Sequence, residues 1–531
     1  MVSTDAVLAT KVGVQTLAAG GNAVDAAVAV AFALAVVFPE AGNIGGGGFM
    51  VYRRNDGETA ALDFRETAPA AASRDMYIDP ATGRPTKRSR NGALAAGVPG
   101  TVAGLWAAHQ KYGQREWSSL IEPAIRMAED GFIVDEALAI AVARQRKRLF
   151  REPSSKAVFF ADGRSPQVGD TMRNPALAAT LKRIAKDGPP GFYEGRTAEL
   201  IVAQMKRSKG IITAQDLANY RPKFRRPVRM MYRGHEVIGM PPPSSGGLVF
   251  ALMTRVLEKI DVRALGWHSA AHVHRVAETM RHAFARRNTY LGDSDFVKVP
   301  TERFDSDKAA QEILAAFDSQ RATPSTSVLA QANPGQGKHT TNFAIVDKDD
   351  NAVALTYTLN TSFGSGLVVK GAGFLLNNEM DDFAAAPGKP NAYGLVQGEA
   401  NAIAPGKRPL SSMSPTIVLD PQKRVLLVTG AAGGPTIITA TFQIMSAVVD
   451  FKMGIQTAVN ESRFHHQHLP DRLFIEPGAL SPEVIQTLTE MGHQVADPPF
   501  PIGDAPTLGR SPNGWMGGVE PRQQGALAAG P

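Results

Sequence analysis

A threonine beside a bond that could be cut has the clearest chemical potential in this chain. Residues 341–346 and 352–359 are rich in β-branched and apolar side chains and are joined by a polar turn, so they predict a β-hairpin. Thr340 stands where a polar, glycine-rich segment enters that hairpin. If the His339–Thr340 peptide bond were broken, Thr340 would carry a free α-amine next to its hydroxyl. An amine with an ordinary pKa of about 7.7–8.0 is a base suited to neutral pH, so the two groups predict an N-terminal threonine nucleophile.

Six ordered sequence blocks resemble those of the γ-glutamyltranspeptidase family. The region around His339 and Thr340 is similar to that family's processing site and to the start of its small subunit. The other five blocks lie at residues 62–66 (LDFRE), 241–247 (PPPSSGG), 376–383 (LNNEMDDF), 409–416 (PLSSMSPT) and 463–467 (RFHHQ). Any one block would be weak evidence, but six in family order extend the resemblance over nearly the whole chain.

The resemblance implies roles for residues around the nucleophile. Thr358, on the partner strand of the hairpin, matches the threonine that supports the nucleophile, although sheet pairing alone would also explain it. Gly433 and Gly434 match the family's diglycine, and they precede Pro435, a favoured first helical residue. Backbone N–H groups at such a helix start predict an oxyanion hole, and the alternative is a tight turn that packs the helix on its sheet.

A second set of matched residues implies a site for an amino acid's α-groups. Arg65 follows an apolar strand, and a guanidinium donates two parallel hydrogen bonds to a carboxylate. The resemblance gives Arg65 the α-carboxylate of a γ-glutamyl donor, with help from the hydroxyls of Ser411 and Ser412. It gives the α-amino group of that donor to three acceptors: Asn360, Glu379 and Asp382. Without the resemblance, these serines and carboxylates would be interpreted as loop residues in contact with solvent.

Two further features bear on the kind of substrate and on processing. Asn342 stands where many bacterial family members carry histidine, two residues after the nucleophile, and its effect on cleavage is left open. The loop from Ala384 to Lys407 resembles the lid that covers the pocket in many bacterial members. A lid favours small γ-glutamyl compounds over long polymers.

The resemblance therefore predicts an autoprocessing enzyme. The precursor would cut itself before Thr340 into a large subunit, residues 1–339, and a small catalytic subunit, residues 340–531, which together form one intertwined unit. The mature enzyme would transfer the γ-glutamyl group of glutathione and related amides to water or to amino acid and peptide acceptors. The intermediate would be a γ-glutamyl ester of Thr340, and no cofactor would be required.

Three other functions are weighed against this prediction. A glutaryl or cephalosporin acylase of the same superfamily acts on donors without an α-amine, so retention of Asn360, Glu379 and Asp382 argues against it. A poly-γ-glutamate depolymerase is disfavoured by the lid. A homologue that does not cleave itself and serves as a binding protein is the remaining alternative, which the sequence leaves open.

Composition limits the function classes further. The chain has 531 residues, is 44% hydrophobic and 20% charged, and carries a net charge of +7. Its basic residues are scattered, so we expect no nucleic-acid partner. There is no cysteine, which excludes disulfides and thiolate chemistry. His465, His466 and His468 lie close together without a further ligand pattern, so we expect no metal.

The sequence also predicts location and architecture. The longest uncharged apolar run, residues 26–39, is shorter than the ~20 residues that cross a bilayer. No signal peptide is present at the start of this sequence, yet the resemblance implies a periplasmic or secreted protein, with a cytoplasmic location left open. Residues 7–19 and 22–37 predict helices, residues 100–290 are mostly helical by pattern, and residues 318–339 predict a linker. Strand pairs flanked by helices favour an α+β fold, the four-layer αββα sandwich that the resemblance implies.

Overall fold

The computed structural model describes residues 1–328, 340–389, 391–496 and 499–531. The strands in these residues are β1 Val2–Thr4, β2 Gly47–Arg53, β3 Thr59–Asp63, β4 Phe132–Ile133, β5 Thr171–Met172, β6 Lys223–Arg225, β7 Val228–Tyr232, β8 His235–Gly239, β9 Thr340–Val346, β10 Ala352–Thr358, β11 Thr416–Leu419, β12 Val425–Thr429, β13 Phe464–His465, β14 Phe474–Ile475, β15 Thr507–Ser511, β16 Gly514–Gly518 and β17 Leu527–Ala529.

The described residues also form eighteen α-helices. They are α1 Val7–Ala18, α2 Ala23–Val37, α3 Thr101–Tyr112, α4 Trp117–Asp130, α5 Glu136–Leu149, α6 Pro153–Phe159, α7 Pro175–Asp187, α8 Pro190–Tyr193, α9 Gly195–Ser208, α10 Ala214–Asn219, α11 Gly246–Leu257, α12 Val262–Leu265, α13 Ala270–Tyr290, α14 Asp307–Ala316, α15 Ser325–Val328, α16 Thr436–Val449, α17 Ile455–Asn460 and α18 Pro482–Glu490. Short 3₁₀ helices lie at Lys87–Ser89, Ala93–Ala95, Thr301–Arg303, Glu379–Asp382 and Glu399–Asn401.

Two antiparallel sheets form the centre of the molecule. The first has seven strands in the order β17-β1-β9-β10-β2-β3-β6, and the second has six in the order β16-β15-β12-β11-β8-β7. One hydrophobic cluster joins helices α1 to α4 to the outer face of the first sheet. The other cluster joins the inner faces of both sheets to helices α11, α13 and α16. This arrangement confirms the predicted αββα sandwich.

The hairpin of β9 and β10 places alternate side chains in different layers. Phe343 and Ile345 pack in the helical layer, whereas Ala344 and Val346 pack between the sheets. Successive side chains of a strand point to opposite faces, so Thr340 shares the inner face with Ala344. The start of β9 therefore directs its hydroxyl into the space between the sheets.

The N-terminal helices follow their sequence signals. Asn22 caps α2, because its side-chain oxygen accepts hydrogen bonds from the backbone N–H groups of Val24 and Asp25. The Asp25 carboxylate in turn accepts a hydrogen bond from the backbone N–H of Asn22. This capping box satisfies N–H groups that a helix start otherwise leaves without partners. Every residue of α2 is buried, which agrees with its continuous apolar sequence.

The structure adds to two expectations about the chain's organisation, and residues 329–339 of the expected linker lie outside the described residues. The largely helical middle region also contains β6, β7 and β8, which extend both sheets. Strands β7 and β8 are joined by Arg233 and Gly234, both with positive φ, a two-residue turn suited to a hairpin. The expected linker is also held at its start, because Ser325 and Ala322 are hydrogen-bonded to the body of the protein. Within the described ranges, no helix combines the length and apolar character needed to cross a membrane.

Candidate active site

Thr340 and Thr358 face each other across the hairpin. They are directly paired in the register of β9 and β10, and their hydroxyl oxygens lie 3.3 Å apart. The Thr358 oxygen also accepts a hydrogen bond of 2.9 Å from the backbone N–H of Asn360. These bonds hold Thr358 in place and orient the hydroxyl of Thr340, a residue that is 7% exposed.

Arg65 is completely buried at the end of β3, among three carboxylates. Its Nη1 lies 2.7 Å from Glu379 and 3.7 Å from Glu66, and its Nη2 contacts Asp382. The Arg65 Nε donates a hydrogen bond of 3.3 Å to the backbone oxygen of Pro409. Arg65, the expected partner of a donor's α-carboxylate, is therefore in direct contact with Glu379 and Asp382, two expected acceptors of the donor's α-ammonium.

Burial and mutual repulsion control ionisation in this group. Burial raises the pKa of Glu66 to about 8, against the opposing effect of Arg65. Burial also raises the pKa values of Glu379 and Asp382, with Arg65 again opposing the shift. Burial alone would lower the Arg65 pKa, but the facing carboxylates raise it above its ordinary value. Arg65 therefore stays charged, and Glu66 is largely protonated at neutral pH.

Asn360 directs a polar group into the pocket from a left-handed backbone conformation, with φ of 78°. Its side-chain nitrogen donates to the backbone oxygen of Asn378 at 2.9 Å. Its side-chain oxygen is buried without a hydrogen-bond donor in the described residues. Tyr393, from the expected lid loop, donates its hydroxyl to the Asn360 backbone oxygen at 2.5 Å. An acceptor aimed into a pocket is suited to an ammonium group.

Ser411 and Ser412 lie on the opposite wall. The Ser411 hydroxyl accepts from the backbone of Met413, and the Ser412 hydroxyl accepts a bond of 3.0 Å from Arg287. Arg287 belongs to α13 and also donates to Ser245 at 3.0 Å. Because each serine oxygen already accepts a bond, each hydroxyl hydrogen can be donated to a ligand.

The diglycine has the conformation that a close approach of backbone requires. Gly433 and Gly434 have φ of 125° and 62°, in the region that other residues rarely adopt. A Cβ on Gly434 would lie 2.6 Å from the ring of Tyr393, and one on Gly433 would lie 2.5 Å from Thr436 Oγ1. Neither amide donates a hydrogen bond within the described residues. Both are thus available to an oxyanion.

A pocket of about 330 Å³ brings most of the expected residues together. It is lined by Arg65, Thr340, Thr358, Asn360, Asp382, Ser411, Ser412 and Gly434, with Arg287, Tyr393, Leu395, Leu410, Met413, Pro435 and Ile437. Glu379 does not line the pocket but contacts Arg65, which does. Gly433 does not line the pocket either, although its neighbour Gly434 does. His339 lies outside the described residues.

Asn342 is buried on the same face as Thr340. Its side-chain oxygen accepts from Thr356 at 2.8 Å, and its nitrogen donates to the backbone oxygen of Pro506 at 3.2 Å. Both of these partners are neutral. Asn342 therefore joins the inner faces of the two sheets beside Thr340.

One group of described residues has the spacing of metal ligands away from this pocket. His274, Glu278 and His493 are buried, and their ligand atoms lie within 4.8 Å of one another. However, His274 and His493 are hydrogen-bonded to each other at 2.8 Å, and Glu278 accepts from Arg281 at 3.0 Å. A nearby guanidinium disfavours a cation, so this group fits a hydrogen-bond network better than a metal centre.

Sequence reasoning missed three residues of the site. Glu66 belongs to the matched block at residues 62–66, but the sequence predicts no role for it. Tyr393 lies in the expected lid, and an aromatic residue in a polar, glycine-containing loop was the available signal. Arg287 gave no signal, because it follows Arg286 in a basic helical segment that is typical of a solvated face.

An αββα sandwich with a threonine at the start of an inner strand is the architecture of the N-terminal-nucleophile hydrolases. The sequence model of the γ-glutamyltranspeptidase family matches residues 9–530. The chain belongs to that family.

Similar proteins agree with this assignment. The chain is 45% identical to the glutathione hydrolase proenzyme of Escherichia coli K12, over 100% of this chain and 91% of that protein. A crystal structure of cephalosporin acylase from Bacillus halodurans has a TM-score of 0.86 at 27% identity and covers 100% of this chain and 95% of its own. The γ-glutamyltranspeptidase structure from Helicobacter pylori has a TM-score of 0.58 at 44% identity and covers 61% of this chain and 95% of its own.

Proposed function

We propose that this enzyme is a γ-glutamyltranspeptidase with glutathione hydrolase activity that generates its own nucleophile. One observation carries the proposal: Thr340 begins an inner strand and shares a pocket with Arg65, Asn360 and Asp382. The pocket thus combines a nucleophile with groups complementary to both charges of an α-amino acid.

The first step is self-cleavage. Thr340 Oγ attacks the carbonyl carbon of His339, the peptide C–N bond breaks, and the departing nitrogen takes up the hydroxyl proton. This shift frees the Thr340 α-amine, and water then hydrolyses the resulting ester, which releases the His339 carboxylate and restores the Thr340 hydroxyl. The products are subunits of residues 1–339 and 340–531. The H. pylori chain aligns with 61% of this chain over 95% of its own length, close to the share of such a large subunit.

The mature site then transfers the γ-glutamyl group. The Thr340 α-amine accepts the hydroxyl proton while Oγ attacks the γ-carbonyl, and the Gly433 and Gly434 amides stabilise the oxyanion. Collapse breaks the amide C–N bond, the leaving amine takes the proton, and a γ-glutamyl ester of Thr340 remains. Water or an acceptor amine attacks this ester and restores the Thr340 hydroxyl.

Groups in the pocket select the donor. Arg65, Ser411 and Ser412 bind the α-carboxylate, and Asn360, Glu379 and Asp382 bind the α-ammonium. Tyr393 and Leu395, from the loop over the pocket, limit it to small donors. An acylase whose donor lacks the amine would leave the buried Asn360 side-chain oxygen, which has no donor among the described residues, without a hydrogen bond, which is costly. Higher identity to the glutathione hydrolase proenzyme than to the acylase also supports this choice.

A γ-glutamyl anilide tests the proposal. Wild-type protein should release the coloured amine and show two bands on a denaturing gel, at about two-thirds and one-third of the precursor mass. Thr340→Ala should give one band and no turnover, since it lacks the attacking oxygen. Thr361→Ala, a threonine outside the pocket lining, is the control and should keep both bands and activity. A wild-type protein that remains one chain and turns over no γ-glutamyl donor would contradict the proposal.

A further inference from the structure

Arg287 is a buried cation in the donor pocket and has no role in the proposed chemistry. It is 1% exposed and lies on α13, a helix outside the family blocks quoted above. Its guanidinium donates to Ser245, Asn288 and Ser412 at 3.0, 2.9 and 3.0 Å, and all three acceptors are neutral. Within the described residues, no carboxylate oxygen lies within 4.0 Å of it.

A buried charge without an opposite charge is unstable unless a ligand supplies one. Burial lowers the Arg287 pKa to about 10, and Asp382 opposes that shift only in part. Buried charges in proteins are normally paired, so an unpaired guanidinium in a pocket indicates an anionic ligand. Ser412, which Arg287 contacts, lines the same pocket.

The charges around Arg65 show why one cation is insufficient for a carboxylate. Arg65 faces Glu66, Glu379 and Asp382. Even with Glu66 protonated, the carboxyl groups of Glu379 and Asp382 also face this single guanidinium. A donor carboxylate that approached Arg65 alone would enter a region of negative charge. A second guanidinium restores the balance, and the zwitterionic α-groups of a donor then add no net charge.

We propose that Arg287 is a positioning residue for the donor α-carboxylate, acting through the hydroxyl of Ser412. This inference rests on the proposed function. Arg287 Nη2 donates to Ser412 Oγ, so the hydroxyl hydrogen of Ser412 turns towards the pocket and is donated to the carboxylate. Arg287 also supplies the counter-charge that offsets the acidic group around Arg65. It thereby determines the preference for donors that carry an α-carboxylate.

Two chromogenic donors that differ only in the carboxylate test this role. They are the γ-glutamyl anilide and the 4-aminobutanoyl anilide, which keeps the amine and lacks the α-carboxylate. For Arg287→Gln, we expect KM for the γ-glutamyl donor to rise at least about tenfold, with kcat within about threefold of wild type. The kcat/KM for the 4-aminobutanoyl donor should not fall, because that donor has no carboxylate to lose its partner, so the ratio of the two kcat/KM values falls.

A neighbouring arginine provides the matched control. Arg286 lies on the same helix, donates to Glu312 and does not line the pocket. Arg286→Gln changes charge by the same amount and should leave the donor ratio unchanged. Ser412→Ala should lower the ratio, and Arg287→Gln should lower it less in that background than in wild type, because the two residues act in series.

Several outcomes would overturn the inference. An equal loss of kcat/KM for both donors would show that Arg287 has only a structural role. No loss of kcat/KM for either donor would show that it has no role. If Arg287→Gln yields no processed protein, Arg287→Lys is measured instead. Lysine keeps the charge but cannot hold both Ser245 and Ser412, so a several-fold lower ratio is expected, and an unchanged ratio overturns the inference. Failure of wild type on the γ-glutamyl donor would instead contradict the proposed function.

Discussion

At the scale of single residues, Arg65 is the side chain that we propose binds the donor α-carboxylate. It is fully buried and contacts both Glu379 and Asp382. We expect Arg65→Ala to lower kcat/KM for a γ-glutamyl anilide by about 2–5 kcal/mol, mainly through KM, because the donor carboxylate loses its charged partner. Arg65→Lys should be intermediate, since an ammonium cannot donate two parallel hydrogen bonds. Exposed Arg84→Ala is the control, and an unaltered KM in Arg65→Ala would exclude this role.

Glu66 makes stability depend on pH. Its pKa is raised to about 8 in the folded protein by burial, whereas an unfolded chain ionises it near its ordinary value of 4.5. Between these two values the folded state binds more protons, so its stability falls as pH rises from about 4.5 to 8. Below this window, the protonated residue imposes no such penalty.

The variant Glu66→Gln isolates the effect of Glu66 on the pH dependence of stability. Glu66→Gln cannot ionise, so its Tm should fall less than that of wild type between pH 5.5 and pH 8, and it should exceed the wild-type Tm at pH 8. Thermal unfolding monitored by circular dichroism at both pH values provides the measurement. As the control, Glu490→Gln at an exposed position should show the same change in Tm between the two pH values as wild type. Parallel Tm curves for Glu66→Gln and wild type would show that Glu66 is ionised in the folded protein.

At the scale of elements, the segment before residue 329 is anchored by buried polar groups. The backbone N–H of Ser325 donates to Asp471 at 2.7 Å, and Arg281 contacts both Asp471 and the Ser325 hydroxyl. His468 contacts the Ser325 backbone oxygen at 2.9 Å. Asp471, which is partly exposed, is held ionised because its hydrogen bonds and the charge of Arg281 lower its pKa more than burial raises it.

Loss of Asp471 should loosen this anchor. Asp471→Ala leaves the buried Arg281 without one carboxylate, so we expect a loss of about 1–3 kcal/mol in stability and faster hydrogen exchange at residues 322–328. Asp471→Asn keeps an acceptor for the Ser325 N–H and should lose less stability than Asp471→Ala. Hydrogen exchange read by mass spectrometry checks the prediction. Exchange that is unaltered in residues 322–328 would mean that other contacts hold the segment.

The elements nearest the nucleophile were predictable because their signals are local. The β9–β10 hairpin follows from β-branched residues around a polar turn, and α2 follows from its cap and continuous apolar sequence. The close packing of backbone at Gly45 to Gly48 could not be predicted from local signals. A Cβ on Gly46 would lie 2.1 Å from the Thr358 backbone oxygen, and one on Gly47 would lie 2.4 Å from that of Phe64. The glycines allow strands to approach, which depends on distant partners that the sequence pattern does not reveal.

Tertiary contacts also decide the residues that sequence reasoning missed. Arg287 is buried because Ser245 and Ser412, from two other parts of the chain, surround it. Helical periodicity cannot distinguish such a residue from a solvated arginine. The resemblance supplied the roles expected for Arg65 and Asp382, whereas their direct contact became evident only in the fold.

At the scale of the whole molecule, the expected cut at residue 339 does not separate two folding units. In the seven-stranded sheet, β1 lies between β17 and β9, and β2 pairs with β10. In the six-stranded sheet, β8 pairs with β11. Each sheet therefore contains strands from both sides of the cut, and the inter-sheet core is shared. Neither product could bury its strand edges and apolar faces alone.

We therefore expect the two products to remain together after processing. The processed protein should elute as one species in size-exclusion chromatography, contain both bands, and unfold in one calorimetric transition, since the sheets cross the cut. Residues 340–531 expressed alone should be insoluble or unfolded, because β9 and β10 would lack β1 and β2 as neighbours. Thr340→Ala, the uncut chain, provides the reference elution volume. Separation of the two products in dilute buffer without denaturant would contradict the shared-sheet architecture.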